Sequence, residues 1–141
     1  MLTRQVIRTA VEAALEEDAP NGDITCETTI PAEARGSARL VARQPGVMSG
    51  IAVFEAVFAA QNPEIVVRAN IKDGERFEAG QTLAEAAGPV RDLLTAERVA
   101  LNFTQRMCGI ATMTSDFVEA AAKAVGTDGY RTPHTYARTR I

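Results

Sequence analysis

Arg98, Asn102, Gln105 and Arg106 carry the clearest chemical signal in the chain. On a helix this spacing puts all four on one flank. Two guanidinium groups with two amides between them suit an anion. A forked guanidinium grips a carboxylate or phosphate through paired N–H bonds. The bland alternative is an amphipathic flank, with Arg98 snorkelling past apolar neighbours and pairing with Glu97 or Glu85. Spacing alone favours that alternative. Glu17, Asp18 and Asp23 gather three acids around a turn and could bind a metal, yet Gly22-Asp23 suits turn chemistry better. Cys108 sits inside a periodic apolar stretch, where a cysteine usually serves as a small hydrophobe. A nucleophilic thiol would need a base, and the only histidine, His134, lies in a ragged tail.

Other chemistries are excluded by what is missing. There is no G-x-x-x-x-G-K-[ST] and no G-x-G-x-x-G, so neither a P-loop nor a dinucleotide fingerprint is present. Cys26 and Cys108 form no C-x-x-C pair, which argues against structural zinc. The net charge is −3, from 15 basic and 18 acidic residues, which speaks against nucleic acid or an anionic membrane surface as a partner. No apolar run approaches the roughly 18 residues of a membrane span. The charged N-terminus has no signal core, so a cytoplasmic protein with reduced thiols is expected. The basic set is 13 Arg and only two Lys, spread along the chain as a coding bias would spread them.

The elements that must position these residues can be read from periodicity. At 141 residues and 46% hydrophobic, the chain supports one domain, or one and a fraction. Residues 3–17 read as a helix through Val6, Ile7, Ala10, Val11, Ala14 and Leu15. Pro20-Asn21-Gly22-Asp23 stops it. The Thr-rich run Ile24 to Ile30 reads as extended. Residues 35–43 suggest a strand carrying Arg35, Arg39 and Arg43, and Val47 to Gly50 a short one. A helix from Ile51 through Val53, Phe54, Val57 and Phe58 ends at Asn62-Pro63. Residues 64–71 and 81–86 alternate as strands around the turn Lys72-Asp73-Gly74-Glu75. Residues 90–125 form the longest apolar stripe, which Gly109 is expected to break into two helices. Gly126 reads as the helix stop. The last residues, 127–141, show no periodicity. Together these give an α+β domain with one candidate anion stripe.

Two resemblances follow. The small strands around Asp73-Gly74 and Ala79-Gly80 resemble the β units of lipoyl and biotinyl carrier domains. Lys72 lacks the flanking residues of a carrier lysine, so a turn on a β unit is the better reading. The second resemblance covers roughly residues 3–127. Ala14-Leu15-Glu16-Glu17-Asp18 through Asn21-Gly22-Asp23-Ile24-Thr25 resembles the N-terminal signature of quinolinate phosphoribosyltransferases. Pro45-Gly46-Val47-Met48-Ser49-Gly50 resembles the next block, as does Asp73-Gly74 with Gly80 and Leu83. The strongest match is Leu94-Thr95-Ala96-Glu97-Arg98-Val99-Ala100-Leu101-Asn102-Phe103, continuing to Gly109-Ile110-Ala111-Thr112.

The resemblance implies an N-terminal α/β sandwich, hammerhead-like, over residues 1–105, and the truncated beginning of an α/β barrel over 106–141. It implies a transferase of NAD biosynthesis. Such an enzyme converts quinolinate and phosphoribosyl pyrophosphate to nicotinate mononucleotide, pyrophosphate and carbon dioxide, with magnesium. It also implies a homodimer or higher homo-oligomer in which Arg98 reaches across to bind the dicarboxylate in the partner's active site. No catalytic residue or metal ligand is assigned to this chain. The family's Asp-Thr-Arg-Lys-Thr-x-Pro-Gly motif finds only a blurred echo in Asp128-Gly129-Tyr130-Arg131-Thr132-Pro133-His134-Thr135, and the tail 128–141 diverges. The expectation is therefore a truncated or frame-shifted product, inactive alone. A non-catalytic dimerisation or binding domain, or a molybdenum-transport-associated homologue of the same fold, are the alternatives.

Overall fold

The structure, a computed structural model, describes residues 3–19 and 24–124. The chain opens with α1 (Arg4–Asp18). The Thr3 hydroxyl accepts from the Val6 N–H and caps its first turn. Next come α2 (Ile24–Thr29), β1 (Arg35–Val41), β2 (Gly46–Val47) and α3 (Ile51–Gln61). They are followed by β3 (Val66–Ala69), β4 (Arg76–Phe77), β5 (Thr82–Pro89) and α4 (Val90–Ala124).

Three strands form an antiparallel sheet in the order β1-β5-β3, and β2 pairs with β4 in a second, two-stranded sheet. Alternation along β5 sorts the larger sheet into two faces. Ala84, Ala86 and Gly88 are buried, while Glu85 and Ala87 between them are exposed. The alanine face meets α1, α3 and α4 in one core built on Val11, Val53, Phe54, Val57, Phe58, Leu93, Ala96, Val99 and Ala100. Small residues on β5 bring the helices close. A Cβ on Gly88 would lie 2.9 Å from Ile65 Cγ1 and 3.1 Å from its Cα, so only glycine fits there. The opposite face is solvated, with Arg39 and Arg68 set on either side of Glu85 in register. The result is an α+β sandwich with one face open, the usual behaviour of an antiparallel sheet.

A second, smaller core joins the two-stranded sheet to the middle of α4. Ala42, Met48, Ile71, Phe77, Leu83 and Cys108 are buried in it. Its polar stitching is specific: the Val47 N–H donates to Thr112 Oγ1 at 2.9 Å, and Arg76 bonds Ser115 and Glu119. The start of α4 is also tied down. Asp92 accepts from Gln61 Nε2 at 3.0 Å and Asn62 Nδ2 at 2.8 Å, fixing the end of α3 to the first turn of α4.

Two sequence expectations are corrected. The run from Ile24 is a six-residue helix up to Thr29, not an extended segment. Its end is held by Arg91, whose Nε donates to the Ile30 carbonyl at 2.8 Å. Tertiary anchoring thus overrides the weak extended preference of threonine. Nor does Gly109 break the long helix: α4 runs unbroken for 35 residues. A helical glycine costs only about 1 kcal/mol relative to alanine, and the flanking turns are pinned through Cys108, Thr112 and Ser115. The turn at 20–23, the Gly126 stop and the tail lie outside the described residues.

Candidate functional site

Arg98 sits in the third turn of α4, three-quarters exposed. Its Nη1 lies 3.4 Å from Asp18 Oδ1, and that carboxylate is 23% exposed. Asp18 is the last residue of α1. Val11, fully buried, and Ile7, Ala14 and Leu15 around it dock α1 on α3 and α4, and this docking sets where Asp18 falls. The partners expected from sequence, Glu97 and Glu85, are not the ones used. Glu97 is one residue away and so points about 100° round the helix. Glu85 belongs to the solvated face of the sheet, across which it faces Arg39 and Arg68.

Asn102, Gln105 and Arg106 stand exposed on the same side of α4 as Arg98. The shared flank is therefore real. A guanidinium has five N–H donors, and one half-buried carboxylate at 3.4 Å engages only part of that set. The arrangement presents a planar donor fork to a second anion. Asp18 was legible as an acid, but its pairing with a residue 80 positions away had no local signal.

The other candidates do not assemble into a site. Asp18 is occupied with Arg98, and Asp23 and His134 lie outside the described residues. Among the described residues no group of three or more His, Cys, Asp or Glu is placed to hold a metal ion. Cys108 is buried beside Met48 and Ser49, its thiol donating to the Ser49 carbonyl and accepting from the Ser49 N–H at 3.4 Å. Burial pushes the thiol pKa up, the Asp73 carboxylate adds to that, and the bond from Ser49 partly offsets both. A raised pKa makes a poor nucleophile. Lys72 lies in the tight turn whose Asp73 accepts from the Ile51 N–H at 3.0 Å, tying that turn to the start of α3. A shallow apolar indentation lies under β1, walled by Ala38, Leu40, Phe54, Phe58 and Ala100, and neither Arg98 nor Asp18 lines it. No described helix is long and apolar enough to cross a membrane.

Comparison with known proteins supplies what local geometry does not. Residues 23–108 match the family described as "Quinolinate phosphoribosyl transferase, N-terminal domain". The chain is 39% identical over 119 residues to a mitochondrial quinolinate phosphoribosyltransferase [decarboxylating] 2a of Nicotiana tabacum. That match covers 84% of this chain and 34% of the relative. It is 38% identical over 118 residues to a nicotinate-nucleotide pyrophosphorylase [carboxylating] of Mycobacterium leprae, covering 80% of this chain and 41% of that protein. Among solved structures, NadC from Streptococcus pyogenes superposes with a TM-score of 0.81 at 38% identity, over 85% of this chain and 43% of that one. The nicotinate-nucleotide pyrophosphorylase from Francisella tularensis gives 0.80 at 28% identity, over 84% and 42%. The chain thus spans about a third to two-fifths of the length of the curated relatives described here.

Proposed function

Because the chain belongs to the quinolinate phosphoribosyltransferase family through that family's N-terminal domain, we propose that it serves the transfer of a phosphoribosyl group to quinolinate in NAD biosynthesis. The observation that carries this reading is Arg98, an exposed guanidinium at the Glu-Arg of the best-matching segment, held at one edge by Asp18. In this reading residues 1–105 form the N-terminal domain and the rest of α4 leads toward the barrel.

Quinolinate bears two adjacent carboxylates. A forked guanidinium on a rigid helix can take one of them through two parallel hydrogen bonds. The ion pair with Asp18 at 3.4 Å draws one side of the fork toward α1. Arg98 so placed positions the substrate; it neither donates nor accepts the reacting bond. The remaining work, stabilising an oxocarbenium-like ribose and a departing pyrophosphate, is electrostatic and falls to a barrel. Magnesium accompanies the pyrophosphate in this chemistry. The described residues offer no set of ligands that fits it, so no step is assigned to it here. In the proposed assembly Arg98 enters the site of a partner subunit, and the 141-residue chain alone does not turn over quinolinate.

The test is turnover of quinolinate with phosphoribosyl pyrophosphate and magnesium. The chain alone is expected to be silent. Mixed with a full-length family member whose arginine matching Arg98 is replaced by alanine, it is expected to restore activity. The Arg98→Ala chain should fall short by roughly 10- to 150-fold, from about 1.5–3 kcal/mol for a hydrogen bond to a charged group. Turnover by the chain alone, or restoration that ignores Arg98, overturns the reading.

A further inference from the structure

β1 has a partner along one side only. In the order β1-β5-β3 it is an edge strand, and among the described residues no strand lies against its other side. The ladder fixes which backbone groups face outward. The Ala34 carbonyl accepts from the Val90 N–H at 2.9 Å, and Gly36, Ala38 and Leu40 follow opposite Gly88, Ala86 and Ala84. In an antiparallel pair, alternate residues turn both their N–H and their C=O to the partner strand. Here these are the even-numbered ones. The N–H and C=O of Arg35, Ser37 and Arg39 therefore point away from β5, and all three residues are exposed.

Such edges are usually blunted by proline, by lysine or by a charge turned inward. The seven residues of β1 contain no proline and no lysine, and the positions turned to the helices are Ala38 and Leu40. The apolar indentation borders this same edge. Phe54, Phe58 and Ala100 line it, with Arg39 on the sheet side and Glu97 on the helix side. Free backbone groups beside an apolar groove are the arrangement that takes up an extended peptide as an additional strand, main-chain bonds holding it and alternate side chains selecting it. The charges say which peptide. Glu64 engages Arg35, but among the described residues Arg39 and Glu97 enter no ion pair. Glu85 stands opposite Arg39 on β5 without closing a bridge. On the solvated face, an acid of the incoming strand would lie beside Arg39, a favourable cross-strand pair. On the inner face an acid would meet Glu97, so apolar residues belong there.

We infer that the free edge of β1 is a docking site for an extended segment of another protein in which acidic and apolar residues alternate. The added strand pairs with Arg35, Ser37 and Arg39. It turns its acids to the solvated face and lays its apolar side chains over the indentation. The site uses neither Arg98 nor Asp18, so it does not rest on the phosphoribosyl-transfer reading.

The test titrates the 141-residue chain with a blocked peptide of alternating glutamate and valine, about nine residues long, the reach of one strand. Fluorescence anisotropy gives the dissociation constant, amide hydrogen exchange by NMR reports the pairing, and the thermal midpoint of each variant controls for folding. Binding is expected to saturate and to slow exchange of the Arg35, Ser37 and Arg39 amides by at least about tenfold. Ser37→Pro deletes an outward N–H without touching the β5 ladder, and Ala38→Arg sets a charge on the inner face. Each should raise the dissociation constant by at least about tenfold. Arg39→Glu should weaken the glutamate peptide by about fivefold or more and tighten its counterpart with lysine in place of glutamate. No binding at millimolar peptide overturns the proposal. So does binding that leaves the three amides unprotected, that ignores Arg39→Glu, or that is equal for a peptide with the same residues in two blocks. Protection that grows with the concentration of the chain alone overturns it in favour of a second copy. Protection by a separately produced barrel portion of a family member, with the peptide shut out, overturns it in favour of that portion.

Discussion

The two halves of α4 are one continuous helix in different surroundings. In the first half, Leu93, Ala96, Val99 and Ala100 are buried under the sandwich core, and Asp92 ties the first turn to the end of α3. In the second half, side chains as large as Met113 and Phe117 remain in water, and attachment comes through a few polar bonds to Val47 and Arg76. Cys108 marks the junction, buried in the small second core. Helix formation is therefore separable from burial. Local bonding extends the helix through both halves, but only the first is held by packing, where most helical stability arises.

Paired substitutions sharpen the contrast. Leu93→Ala should lose about 2–5 kcal/mol of unfolding free energy, the usual range for a buried leucine. Phe117→Ala should change it by no more than about 0.5 kcal/mol, as surface substitutions do. Urea titration followed by circular dichroism measures both, and equal losses would break the distinction.

Asp92→Ala comes next. It strands the amides of Gln61 and Asn62, at a cost of about 1–3 kcal/mol. Asp116→Ala, exposed on the outer half, is expected to change little. Thermal midpoints of the two variants compare them directly.

The smallest effect belongs to the junction. The Cys108 thiol is raised from its ordinary value of 9.0 by burial. The unfolded chain then ionises first. The contribution is fully present below the ordinary thiol value and is lost as pH rises through the raised one. Stability should decline across that alkaline window, and Cys108→Ala should flatten the decline. An unchanged slope in the variant would place the alkaline sensitivity elsewhere.

Much of this architecture was legible in advance. The helical period of Val6 to Leu15 and of Val53 to Phe58, and the alternation around Ile65, Val67 and Ala69, reach the structure as α1, α3 and β3. Asn62-Pro63 and Asp73-Gly74 fall where the chain turns. These signals are local, because side-chain period and turn chemistry act within a few residues. The placement of Arg98 on one flank of α4 with Asn102 and Gln105 was legible too, from helical spacing. The helix at Ile24 and the unbroken passage through Gly109 were not, because each depends on anchors from elsewhere, Arg91 in one case and Val47 and Arg76 in the other.

The amino-acid sequence by itself determined α1, α3, β1, β3 and β5, their order and the family, since these rest on period, turn residues and motif. Only the tertiary structure decided that Asp18 rather than Glu97 or Glu85 holds Arg98, that β5 sits between β1 and β3, and that α4 is covered along one half and bare along the other. Those outcomes depend on which surfaces meet across long separations in the chain, and pairings of that kind leave no mark in local spacing.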